Sequence, residues 1–95
     1  MNSQVTISLP TLRKGVDEFG TVRRLQQMLN DLLGHGEEGS PVEPLEEDGE
    51  FGVKTEQFVK SFQTLELGTP AVDGIVGPKT WTKLLTVWLS GVEGG

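Results

Sequence analysis

The sequence predicts an all-α fold, a compact bundle of three short helices with long loops, and three observations carry that prediction. Apolar residues recur at helical spacing in three separate stretches bounded by glycine and proline. An eight-residue pattern, D-G-x-(F/V)-G-x-K-T, occurs twice, and each copy runs straight into one of those stretches. The chain has 95 residues, 35% of them apolar, with 13 glycines besides. That is enough for one core and too little for two.

In chain order, Val5, Ile7 and Leu9 alternate with Thr6 and Ser8, which predicts a short strand-like or extended segment over residues 1–9 that Pro10 stops. Gly15 and Gly20 bracket a turn. Val22, Leu25, Leu29 and Leu32 then mark the first helix, with Arg23, Arg24, Gln27 and Asp31 on its other face, Thr21 as N-cap and Gly34 as terminator. Residues 35–47 hold no periodic pattern and concentrate acid, glycine and proline, so they read as a solvated loop insertion. Phe58, Val59, Phe62 and Leu65 mark a second helix starting near Val53. Trp81, Leu84, Leu85 and Trp88 mark a third starting at Pro78, where the amide that proline lacks would have had no intrahelical partner. The domain proper therefore spans 10–90, and residues 91–95 form a glycine-rich tail expected to fray. The predicted core is Val22, Leu25, Leu29, Phe51, Phe58, Phe62, Val76, Trp81 and Leu85.

Composition excludes several functions. Without cysteine there is no disulfide framework, thiolate metal site or cysteine nucleophile. A net charge of −6 argues against nucleic acid and anionic membrane surfaces, which demand clustered Lys and Arg. Residues 1–10 lack the basic and apolar regions of a secretory signal, and no stretch approaches the ~20 apolar residues of a membrane span. No cofactor is expected. The sole histidine, His35, has no partner for a catalytic triad, and the glutamates of the insertion lie in a polar run rather than flanking a cleft. An EF-hand alignment on Gly49 puts Pro44 at the first ligand position and Thr55 at the last, which disfavours calcium.

The repeated pattern is the informative feature. In Asp48-Gly49-Glu50-Phe51-Gly52-Val53-Lys54-Thr55 and Asp73-Gly74-Ile75-Val76-Gly77-Pro78-Lys79-Thr80, the Asp-Gly pair suits a tight turn. The glycine takes positive φ while the carboxylate accepts a local N–H. An apolar anchor follows. The second glycine is expected to admit close approach of a helix, and the threonine to bond locally through its hydroxyl. Together with L-R-K-G at 12–15, V-x-x-L-Q-x-x-L-N at 22–30 and F-Q at 62–63, these motifs resemble the bacterial peptidoglycan-binding module over roughly residues 10–86. Such modules are three-helix folds that usually sit beside a cell-wall hydrolase and hold it on the wall.

The resemblance implies non-catalytic binding of the glycan strand or peptide stem, in a groove beside the paired turns, by Asp48, Gly49, Thr55, Asp73, Gly74 and Trp81. It also implies a role at the cell envelope if the chain is part of an exported protein. Two features depart from the pattern: the acidic insertion around Glu37, Glu38, Glu43, Glu46 and Glu47, and the lack of an accompanying catalytic domain. The residues themselves leave other roles open. Asp48 and Asp73 suit structural turns as well as ligand bonds, Trp81 and Trp88 lie on an apolar stripe that fits the core, and Gln26 and Gln63 suit tying loop backbone to helix. An adaptor that uses the same fold to bind another protein is the second functional reading. Since the wall is rich in carboxylates, long-range attraction cannot drive an acidic module onto it.

Overall fold

The computed structural model describes residues 9–33 and 43–94. Among these residues three α-helices make the fold: α1 (Phe19–Leu33), α2 (Val53–Glu66) and α3 (Pro78–Gly94), with one 3-10 turn at Thr69–Ala71 after α2. The all-α bundle expected from periodicity is what forms. Of the predicted strand-like segment at 1–9, residues 1–8 lie outside the described residues, as do Gly34 and His35, and Leu9 is exposed and in no strand.

Each helix buries a stripe that includes polar side chains. Val22, Leu25, Gln26, Met28 and Leu29 are buried on α1, and Thr55, Val59, Phe62 and Gln63 on α2. On α3, over residues 78–90, the buried positions are Thr80, Trp81 and Leu84. This rotates the inward faces away from the predicted core: Val59 and Leu84 are central, whereas Phe58 and Leu85 are only partly buried and Leu65 is exposed. An apolar count alone misplaces these faces, because glutamine and threonine occupy inward positions that it scores as outward. Leu12, Met28 and Leu45 complete the core from positions the periodicity leaves unassigned.

The helix boundaries follow local chemistry. Val22 N–H donates to Glu18 O at 2.8 Å, so α1 is entered at Glu18, three positions before Thr21, and Gly20 lies inside its first turn. Phe19 and Gly20 are exposed, so periodicity is silent over that turn. α2 begins at Val53 as expected and ends where Gly68, at φ 92°, turns its N–H back to Gln63 O at 2.9 Å. α3 begins at Pro78 and stays helical through Gly94, past the predicted end at Gly91. Glycine lowers helix propensity by about 1 kcal/mol relative to alanine without forbidding the helix.

Residues 10–16 form a strap across the bundle. Leu12 pairs with Val76 in an isolated antiparallel bridge, with N···O distances of 3.0 and 2.8 Å, and Gly15 N–H donates to Phe51 O at 2.9 Å. The Trp81 indole N–H donates to Pro10 O at 2.9 Å. The strap thus touches Phe51 and Val76, the anchor residues of the two motifs. On the far side, Trp88 of α3 is half-buried and donates from Nε1 to Asp31 of α1 at 3.0 Å.

Candidate functional site

The two D-G motifs fold into one structure made twice. Gly49 and Gly74 have φ of 77° and 75°, the left-handed region that a side chain resists. In each turn the aspartate Oδ1 accepts the N–H two residues on, from Glu50 at 3.0 Å and from Ile75 at 2.9 Å. A side chain covers each glycine. A Cβ at Gly49 would collide with the Phe19 ring, and one at Gly74 would come 3.0 Å from Glu56 Cγ and 3.1 Å from Lys60 Cε.

A buried glutamine locks each turn to the preceding helix. The Gln26 carbonyl accepts Gly49 N–H at 2.9 Å, while its amide donates toward Asp48 Oδ1 at 3.2 Å, Glu50 O at 2.9 Å and Thr55 Oγ1 at 3.1 Å. Gln63 repeats this on the second turn: its carbonyl accepts Gly74 N–H at 3.0 Å and Asp73 N–H at 3.1 Å, and its amide donates toward Asp73 Oδ1, Ile75 O and Thr80 Oγ1 at 3.0–3.1 Å. Facing a donor-only N–H fixes which way each amide points. Among the described residues no buried side-chain polar atom lacks a partner. Of the roles open to these glutamines, tying loop backbone to helix is the one realised.

Asn30, one turn beyond Gln26, holds the end of the acidic insertion. Its Oδ1 accepts Leu45 N–H at 2.7 Å, and its Nδ2 donates to Leu45 O and Glu47 Oε2, each at 3.0 Å. Leu45 is buried at 6% exposure, so this end of the segment is anchored, not solvated throughout as its composition predicts. One apolar residue between prolines and acids gives no periodic signal. The second glycine of each motif also departs from expectation: a Cβ on Gly52 or Gly77 would meet nothing within 4 Å. These glycines sit at helix entrances, where Gly52 O accepts Glu56 N–H and Gly77 O accepts Trp81 N–H.

Beside each turn, where it meets the next helix, lies an open cleft. The first, about 230 Å³, is lined by Leu45, Glu46, Asp48, Glu50, Lys54 and Thr55 among others. The second, about 510 Å³, includes the equivalent Asp73, Ile75, Gly77, Pro78, Lys79 and Thr80. An adjoining hollow of about 450 Å³ continues it along α3 past Thr82 and Lys83. The Glu50 N–H, and after it the Gln26 amide, hold the exposed Asp48 carboxyl below its ordinary range.

A family model described as "Putative peptidoglycan binding domain" matches residues 20–84. The chain belongs to this peptidoglycan-binding domain family. The matched span contains both glutamine locks and both clefts. Comparison with curated proteins and comparison with solved structures each find no match. Among the described residues of this peptidoglycan-binding domain, no helix is long and apolar enough to cross a membrane, and no three His, Cys, Asp or Glu side chains are grouped to hold a metal ion.

The residues expected to contact ligand fall into two sets in this peptidoglycan-binding domain. Asp48 and Asp73 are exposed at the rims of the clefts. Gly49, Gly74 and Thr55 are buried with their polar groups engaged by the glutamines, and Trp81 is 5% exposed beneath the strap. Sequence reasoning missed Phe19, the 61%-exposed aromatic lying on the first turn. It stands seven positions before Gln26, as Glu56 does before Gln63, and that offset is the signal that locates it.

Proposed function

We propose that this domain binds peptidoglycan without cleaving it and holds an associated hydrolase or larger protein on the bacterial wall. The family match over residues 20–84 carries the reading, and the paired turns with their clefts support it. Asp48 and Asp73 offer exposed rim carboxylates for sugar hydroxyls or stem amides, each held in place by the N–H that its Oδ1 accepts from the turn. Gly49, Gly74, Thr55 and Trp81 serve the site by fixing its shape. Contacts are local, because an acidic domain gains nothing from the net charge of a carboxylate-rich wall.

The test is co-sedimentation of the pure domain with insoluble peptidoglycan from several bacterial types. The domain is expected in the pellet at moderate salt, with no soluble muropeptides released. Replacement of Asp48, Asp73 or Trp81 is expected to reduce retention in variants that circular dichroism shows to be folded. A folded wild-type domain that stays in the supernatant with every wall type would reject the reading in favour of a protein-binding adaptor, and release of muropeptides would make it an enzyme.

A further inference from the structure

We infer that the two repeat-related clefts are not equivalent, and that the second takes the free carboxylate end of a wall peptide stem, with Lys79 and Lys83 as its counter-charges. The inference deepens the wall-binding reading and rests on it for the identity of the ligand. Because the clefts descend from the same motif, their differences isolate what each can hold. The first is about 230 Å³ and sets Glu46, Asp48 and Glu50 against Lys54 alone. It is smaller than an ordinary ligand pocket, which runs from about 300 to 1,000 Å³. Its three carboxylates also repel an anion.

The second cleft reverses both properties. At about 510 Å³, and continuous through Leu67, Pro78 and Lys79 with the 450 Å³ hollow beside it, it has room for several peptide residues. Asp73 is the one carboxylate on its lining, against the ammonium groups of Lys79 and Lys83. The two lysines stand four residues apart on α3, so they share a face, Lys79 lining both the cleft and the adjoining hollow and Lys83 the hollow. The rest of the wall mixes Leu67, Ala71, Ile75 and Pro78 with the threonines Thr80, Thr82 and Thr86. A short peptide with small apolar side chains and a terminal carboxylate is the complement of such a surface. A bacterial stem peptide ending in D-alanine has that chemistry, whereas a neutral glycan leaves both lysines unused. Asp73, exposed on the cleft's lining, suits a stem amide N–H.

Calorimetric titration with a synthetic stem pentapeptide ending in two D-alanines, and with its C-terminal amide, tests this beside the pelleting assay. Wild-type domain is expected to bind the acid at least tenfold tighter than the amide. Lys79→Gln together with Lys83→Gln is expected to weaken the acid at least tenfold and abolish that preference, and Lys79→Gln alone to do so in part. A charge-matched control, Lys14→Gln with Arg24→Gln on exposed positions that line neither the cleft nor the hollow, is expected to change neither by more than twofold. Circular dichroism establishes that each variant is folded. Equal binding of acid and amide by the wild type, or full binding by the folded double variant, overturns the inference. A domain that pellets with peptidoglycan yet ignores the pentapeptide overturns it while sparing the wall reading. One that binds the pentapeptide through these lysines but never pellets supports the subsite and rejects the wall reading.

Discussion

A buried glutamine is costly unless its carbonyl and amide are all engaged, because each unpaired donor or acceptor keeps its full desolvation penalty. Gln26 and Gln63 are each 1% exposed and fully engaged, so the turn and the amide satisfy each other. Gln63→Ala is expected to cost about 2 kcal/mol or more, since it strands the buried Gly74 N–H as well as leaving a cavity. Gln63→Glu restores the acceptor but turns an oxygen toward Asp73 and the Ile75 carbonyl, so no rescue is expected at neutral pH. Urea denaturation reads both variants. Asp48 supplies a pH dependence of definite sign. Its carboxyl is held below its ordinary range, so its contribution to stability is complete above the unfolded value of about 3.9 and is lost as pH falls through the folded value. Denaturation midpoints followed from pH 6 to 2.5 should therefore fall less steeply for Asp48→Asn than for wild type. The Asp-Gly turns and these aspartate bonds were legible from spacing alone, because turn chemistry is local. The glutamines were legible only as one of two roles, because their partners lie 10 and 22 positions away.

At the scale of elements, α2 and α3 begin where the motifs predict, since a turn followed by Gly-Val or Gly-Pro announces a helix entrance. α1 has no such motif before it, and its first turn was missed. The strap was missed for a related reason. Its pairing with Phe51 and Val76 spans the whole domain, and nothing in Leu12-Arg13-Lys14-Gly15 fixes that register locally. Asn30 gives the clearest test at this scale. Because Leu45 N–H is held by the Asn30 carbonyl at 2.7 Å, its hydrogen exchange should be slow, and Asn30→Ala should accelerate it by at least tenfold with little change at Phe62. Leu45 exchange as fast in wild type as in the variant would show that the anchor does not hold in solution.

For the whole molecule, the two halves tolerate very different connections. Gln26 and Asp48 are 22 positions apart and Gln63 and Asp73 only 10, yet the bonds they make agree within a few tenths of an ångström. The length difference therefore lies outside the locked part, and shortening the acidic insertion within 35–42 should leave stability within about 1 kcal/mol, because closure entropy grows only slowly with loop length. Thermal denaturation of the shortened chain is the check, and a loss several times larger would mean that the insertion supports the core. Family membership and the all-α bundle were legible because the motifs that specify them are contiguous. The inequality of the clefts was not, since it depends on which side chains from the loop, α2 and α3 meet around each turn.

Trp88 gives the repetition its end. α2 and α3 each start from a turn, and each turn is secured by a glutamine of the helix before it: Gln26 of α1 and Gln63 of α2. Counted from the motif threonines, the position that holds Gln63 in α2 holds Trp88 in α3. An indole has no acceptor for a following glycine amide, and this one spends its single donor on Asp31 of the first helix. Where a glutamine would reach forward to a following turn, this side chain reaches back, and its bond closes the last helix onto the first.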